Sequence, residues 1–234
     1  RLVTDSMAEK ARDNLLRAMH LRLEYSERGY EQVDEAEQLV DRYEDKLGTY
    51  LMKLTGRSLT PEQTEEVAKY LHTISDFERI SDHACNIADV CQEIDEKKVE
   101  FSPSALHELE VLEGAVTEIL TISVNAFIEG NLQLAARVEP LEEIIDGLCD
   151  EMKSHHVDRL QQGVCTLNQG FVFNDLLTNY ERVADHCSNI ACCMIEGADH
   201  NLHRHEVLQS IRGSGEIFDR EYSSYRQKYA LTAE

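Results

Sequence analysis

Tryptophan is absent from this 234-residue sequence, and proline occurs only three times. With few breakers and only 11 glycines, the chain reads as mostly helix rather than as a turn-rich β architecture. Positive charge is scarce: 23 Lys and Arg stand against 45 Asp and Glu, a formal charge of −22. Such a surface repels nucleic acid and anionic lipid, and attracts cations or basic partners. No run of about 18 apolar residues occurs. The uncharged stretch from Ile119 to Ile128 is too short to span a bilayer, and no secretory signal opens the chain. The seven cysteines show no CxxC or finger-like spacing, and Cys192 and Cys193 are adjacent. They read as small buried residues of a reducing compartment. A nucleophile–base pair, a phosphate-cradling Gly loop and a convergent cleft motif are all missing, which argues against an enzyme. The chain opens at Arg1 without an initiator Met, as a piece of a longer protein would.

What the sequence has is a duplication. The segment Asp76-Phe77-Glu78-Arg79-Ile80-Ser81-Asp82-His83-Ala84-Cys85-Asn86-Ile87 returns as Asn179-Tyr180-Glu181-Arg182-Val183-Ala184-Asp185-His186-Cys187-Ser188-Asn189-Ile190, 103 positions later. A repeat at that period predicts two similar units of about a hundred residues. At about 100° per helical residue, Ala84 and Ile87 fall near Ile80, while Glu78 and Asp82 lie about 160° away, facing outward. Like charges one turn apart on a helix repel by a few tenths of a kcal/mol. Keeping that arrangement twice, with Arg, His and Asn intact beside it, points to a bound cation. Oxygen donors of this kind suit Mg, Ca, Mn or iron. His83 and His186 read as supporting residues, donating to a carboxylate or bridging helices, rather than as ligands.

In order, the spacing predicts a first helix from about Ser6 to Glu27, ending near Gly29, and a second through Val33, Val40 and Leu47 to Gly56. A third opens at Thr60-Pro61 and runs to about Glu96. Ser102-Pro103 opens the second unit, with a helix over about Ala105 to Glu129. A helix capped by Asn131 follows, expected to kink near Glu139 because Pro140 lies inside it, and to end at Gly163. The last repeated helix covers about Asn168 to Glu196, and an amphipathic tail helix runs from Asn201 to about Tyr229. His155 and His156, and likewise His200, His203 and His205, read as solvated or capping histidines. The fold class is therefore all-α. Two tandem three-helix bundles, 1–100 and 101–198, precede a C-terminal helix and tail over 199–234. An acidic pair also lies on each second helix, with Glu37 and Asp41 matched to Glu139 and Glu143 at an offset of 102. Adjacent helices can then bring four carboxylates to one cation.

On these residues the chain resembles the PhoU family of phosphate-uptake regulators, marked by a repeated E(D)xxxD motif in two three-helix bundles. It looks closest to the PhoU-like domain that follows the membrane part of sodium/phosphate cotransporter-type proteins. The stretch His155-His156-Val157-Asp158-Arg159-Leu160, with Gly163, Cys165 and Phe173-Asn174-Asp175-Leu176-Leu177, is similar to the family's C-terminal half. The resemblance implies metal clusters of iron or zinc on the bundle surface. The implied ligands are Glu37, Asp41, Glu78 and Asp82 in the first unit, and Glu139, Glu143, Glu181 and Asp185 in the second. Glu143 departs from the pattern, standing where the first unit has Asp41. The resemblance further implies a non-enzymatic regulator on the cytoplasmic side of the inner membrane. Its partner would be the membrane part of a sodium/phosphate cotransporter or phosphate transport system, and it could form a homodimer. Two other readings remain: a di-iron carboxylate enzyme, and an acidic interaction module without metal.

Overall fold

The computed structural model describes residues 2–56, 58–197 and 215–231, and all regular structure among them is helical. The first unit comprises α1 (Leu2–Leu21), α2 (Glu27–Thr55) and α3 (Pro61–Lys97). The second comprises α4 (Pro103–Glu129), a short α5 (Leu132–Ala135), α6 (Val138–Gln161) and α7 (Leu167–Gly197). A last helix, α8 (Gly215–Lys228), closes the described chain.

Local chemistry sets most of the boundaries. The Thr60 side chain accepts from the Gln63 amide while the Gln63 side chain accepts from the Thr60 amide, a closed capping box that starts α3. Ser102 caps α4 by accepting from the Ala105 amide, with Pro103 in the first turn, and Gly130 ends the helix at φ 67°.

Two boundaries differ from the sequence expectation. Gly29 lies in the first turn of α2 rather than at the end of α1, because the Ser26 hydroxyl caps α2 by accepting from the Gly29 amide. A Cβ at Gly29 would sit 2.7 Å from Leu21 Cδ2, so glycine permits this tight corner. The kinked helix expected from Asn131 is instead two helices. Asn131 caps only α5, and α6 begins afresh at Val138 with Pro140 in its first turn. There the missing proline N–H has no intrahelical partner to lose.

One hydrophobic core runs through both units. Phe77 of α3 packs edge-on against Phe127 of α4, ring centroids 5.1 Å apart. By length and composition alone, α4 could cross a membrane. Here it is a core helix, with Leu109, Leu112, Val116, Ile119 and Leu120 fully buried.

The repeated helices α3 and α7 pack on one another in opposite directions. His83 Nδ1 lies 2.9 Å from Asn179 Oδ1, and His186 Nδ1 lies 2.9 Å from Asp76 Oδ1. Each repeated histidine thus bonds the residue that opens the other unit's motif, and the two rings meet at 5.6 Å. Both are inter-helix bonds. A second polar link joins the units where Arg22, Glu113 and Tyr180 meet. The α8 helix packs on the second unit, where Arg137 reaches Glu221 and the Tyr225 hydroxyl, and Lys228 pairs with Glu118. The earlier part of the expected tail helix, with His200, His203 and His205, lies outside the described residues.

Candidate metal centre

Along the first unit, α2 and α3 run antiparallel with their polar edges facing. The outward face expected for Glu78 and Asp82 is therefore a seam against α2, and both are half-buried. At one end Tyr30 donates to Asp89 at 2.6 Å. Next, donor atoms of Asp34, Glu37 and Cys85 come within 4.8 Å of one another. One turn on, Glu37, Glu78 and Asp82 do the same. Asp41 is exposed and outside both triads, although its charge acts on Glu37 and Glu78.

Electrostatics mark this seam as crowded. Burial, and then the charge of Asp82, push the Glu78 carboxyl up to about 7, with Arg79 partly opposing. Burial raises Glu37 too, followed by Asp82, Asp41 and Asp34. Arg79 bonds Asp82 at 3.0 Å but is itself more than half exposed, so it screens weakly.

The second seam, between α6 and α7, is also lined with acids, but its cluster takes two of them from α6 and one from α7. Glu142, Asp146 and Asp185 bring their oxygens within 4.8 Å. Burial, and then Asp146, Glu139, Asp185 and Glu143, push Glu142 up to about 7. Asp146 is raised by burial and by Glu181 and Asp185.

Of the four ligands expected here, the cluster contains only Asp185. Glu139 instead accepts from Ser188 at 3.0 Å and faces the Cys192 thiol at 3.5 Å. Glu181 is paired with Lys153 at 2.9 Å, and Glu143 is exposed. The cause is α5. Buried positions of α1 recur in α4 at a spacing of 101, as in Ala8 and Leu109 or Leu15 and Val116. The second unit then inserts the four residues of α5, so α2 maps onto α6 at 105 rather than 102. At 105, buried Val33 and Val40 fall on buried Val138 and Ile145. Glu37 and Asp41 fall on Glu142 and Asp146, the Glu-x-x-x-Asp spelling returns, and the apparent departure at Glu143 disappears. That spelling was the sequence signal for the correct register.

Three carboxylates from two helices, two of them strained toward protonation and weakly screened, form a donor set that fits a hard or borderline cation. The pH dependence follows from the sign of the shifts. Glu78 and Glu142 have folded values raised from the ordinary 4.5 to about 7. Their stabilising contribution is present below about 4.5 and is lost as pH rises through about 7. Discounted for solvent screening, each is worth on the order of 1 kcal/mol. Metal-free protein is expected to lose roughly 4–8 °C of melting temperature between pH 4.5 and 7.5, and protein with added divalent metal to lose much less. Parallel thermal scans in chelator and in metal check this.

His155 and His156 lie elsewhere. His155 and Arg159 converge on buried Glu108, at 2.7 Å and in a two-bond fork of 2.9 and 2.8 Å. His156 stacks on Phe173 with centroids 5.5 Å apart. Neither is the solvated or capping residue that the sequence suggested. His156 also faces Cys165 Sγ at 3.7 Å, but burial and Arg159 lower its pKa and disfavour the imidazolium of an activated thiol pair.

The PhoU domain profile matches residues 4–91 and 109–194, taking in both seams. Two curated proteins are similar. The phosphate-specific transport system accessory protein PhoU homolog 1 of Thermotoga maritima is 28% identical over 155 residues, 64% of this chain and 66% of that protein. The phosphate-specific transport system accessory protein PhoU homolog of Borreliella burgdorferi is 27% identical over 167 residues, 68% of this chain and 72% of that one. The chain thus spans about two thirds of these relatives' length. The crystal structure of PhoU from Pseudomonas aeruginosa superposes with a TM-score of 0.76 at 18% identity, over 82% of this chain and 91% of that one. The phosphate transport system regulatory protein PhoU from Streptococcus pneumoniae superposes at 0.72 and 14%, over 84% and 91%.

Proposed function

The chain belongs to the PhoU domain family, and from that membership we propose that it is a metal-binding regulator of phosphate transport, acting on a membrane transporter by contact rather than by catalysis. Its curated relatives are named as accessory proteins of a phosphate-specific transport system. The observation that carries the metal reading is a carboxylate triad in each seam, built on an equivalent pair, Glu37 with Asp82 and Glu142 with Asp185, and completed by Glu78 in the first unit and by Asp146 in the second. Iron or zinc is the metal that family resemblance favours.

These residues would hold the ion in an open groove between two helices. A bound multivalent cation inverts the local field and leaves coordination positions for phosphate oxygen or a partner's side chain. That suits a docking switch on a chain of charge −22. The partner in this reading is the membrane part of a sodium/phosphate cotransporter-type protein, met from the cytoplasmic side. A di-iron carboxylate enzyme is disfavoured, because that class adds histidines on the bundle interior to its carboxylates. Here His83 and His186 are spent on each other's helices.

Elemental analysis of protein purified without added metal or chelator tests the first half of the proposal. Binding of loaded and chelated protein to the transporter's membrane part tests the second. Loaded protein is expected to bind at least tenfold tighter. Equal binding in both states removes the switch, and metal-dependent turnover promotes the enzyme.

A further inference from the structure

The two seams are equivalent in register but not in chemistry. Each has a position one turn beyond its repeated aspartate, facing an acidic residue of the opposite helix. In the first seam this is Cys85, facing Asp34; in the second it is Ser188, facing Glu139. The Cys85 sulfur lies with Asp34 and Glu37 in a group whose donor atoms are all within 4.8 Å, and Glu37 also belongs to the neighbouring carboxylate triad. The other core thiols are placed differently. Cys91 and Cys149 are fully buried and point at the carbonyls of Ala18 and Leu177. Cys192 of the second seam reaches the single carboxylate of Glu139.

Resting on the metal-binding reading above, we propose that Cys85 is a thiolate ligand. On this assignment the first seam holds two cations bridged by Glu37, one bound by Glu37, Glu78 and Asp82, the other by Asp34, Glu37 and Cys85. The second seam holds its metal through oxygen alone. As the S–metal bond forms, the Cys85 S–H proton leaves to solvent and a water leaves the ion. Thiolate selects softer ions and carboxylate harder ones, so one chain carries two sites of different metal preference. The Ser188 hydroxyl cannot substitute, since it already donates to Glu139 at 3.0 Å and remains a neutral donor.

Cobalt(II) is the probe, because thiolate coordination gives an intense near-ultraviolet charge-transfer band that oxygen donors do not. Chelator-treated full chain is loaded with cobalt, and bound metal is counted alongside the absorption. The parent is expected to show the band, and Cys85→Ser to lose it while keeping the cobalt held by the two carboxylate triads. Ser188→Cys is expected to gain a second band of comparable strength, which keeps the test informative should Cys85→Ser fold poorly. Cys192→Ser is expected to leave the spectrum unchanged. Bound cobalt without a band in the parent, or a band that survives Cys85→Ser, overturns the thiolate assignment and leaves the carboxylate sites standing. A parent that binds no cobalt overturns the metal-binding reading as well.

Discussion

Replacing Glu113 with alanine is expected to destabilise the protein by about 3–5 kcal/mol. Glu113 on α4 accepts from Arg22 Nη2 at 2.6 Å, from Arg22 Nε, and from the Tyr180 hydroxyl at 2.8 Å. The Arg22 side chain is 4% exposed and Tyr180 is fully buried. Removing the carboxylate leaves a buried guanidinium and a buried hydroxyl without their acceptor, and an uncompensated buried charge is the dominant cost. The loss should be larger than for Tyr180→Phe, which gives up one hydrogen bond at about 1–2 kcal/mol. A paired Arg22→Met, Glu113→Leu variant should recover much of the stability, since apolar residues of similar volume can replace a buried ion pair. Chemical denaturation of the three variants distinguishes these cases. A Glu113→Ala effect below about 1 kcal/mol would show that the link between the units is solvated and dispensable.

Removing one carboxylate from each seam should abolish the response to chelation that the two carboxylate triads carry, leaving only that of the Cys85 group. In the parent, metal held at about a hundredfold above its dissociation constant adds about 2.7 kcal/mol for each site filled. Chelation should then lower the melting temperature by roughly 6–10 °C per site. Asp82→Asn combined with Asp185→Asn keeps the side-chain shape but takes a charged ligand from both triads, so the chelator response should fall to what the group of Asp34, Glu37 and Cys85 contributes. Without metal the double variant should be more stable than the metal-free parent. The charge of Asp82 raises both Glu37 and Glu78, and that of Asp185 raises Glu142 and Asp146. The register is tested with it: Glu142→Gln should weaken binding at the second seam, and Glu143→Gln should not. A double variant that binds metal as the parent does would refute the site. A strong effect of Glu143→Gln alone would restore the 102-residue register.

Residue types and spacing alone determined the helical class, the duplication and the meeting of Glu37, Glu78 and Asp82, though not the place of Asp41, which lies exposed outside that group. The reason is that each rests on local rules. Thr60, Ser102 and Gly130 act within one turn of themselves, and Ile80, Ala84 and Ile87 declare their buried face by period. Glu37, Glu78 and Asp82 met as expected because α2 and α3 are joined by a short loop and so pack as neighbours. Tertiary structure decided what depends on insertions and on long-range contact. With the four residues of α5 inserted, α6 stands three positions, nearly one turn, from the 102-residue register, so Glu142 and Asp146 rather than Glu139 and Glu143 meet Asp185. Pairing across α3 and α7 settled the histidines, since no spacing within one helix reveals that His83 meets Asn179 or that His186 meets Asp76. Placing Cys85 beside Asp34 and Glu37 likewise required two helices to pack at one register, since the thiol comes from α3 and the carboxylates from α2. Burial and the facing carboxylates push the free thiol up to about 12, so only a bound cation would favour its thiolate.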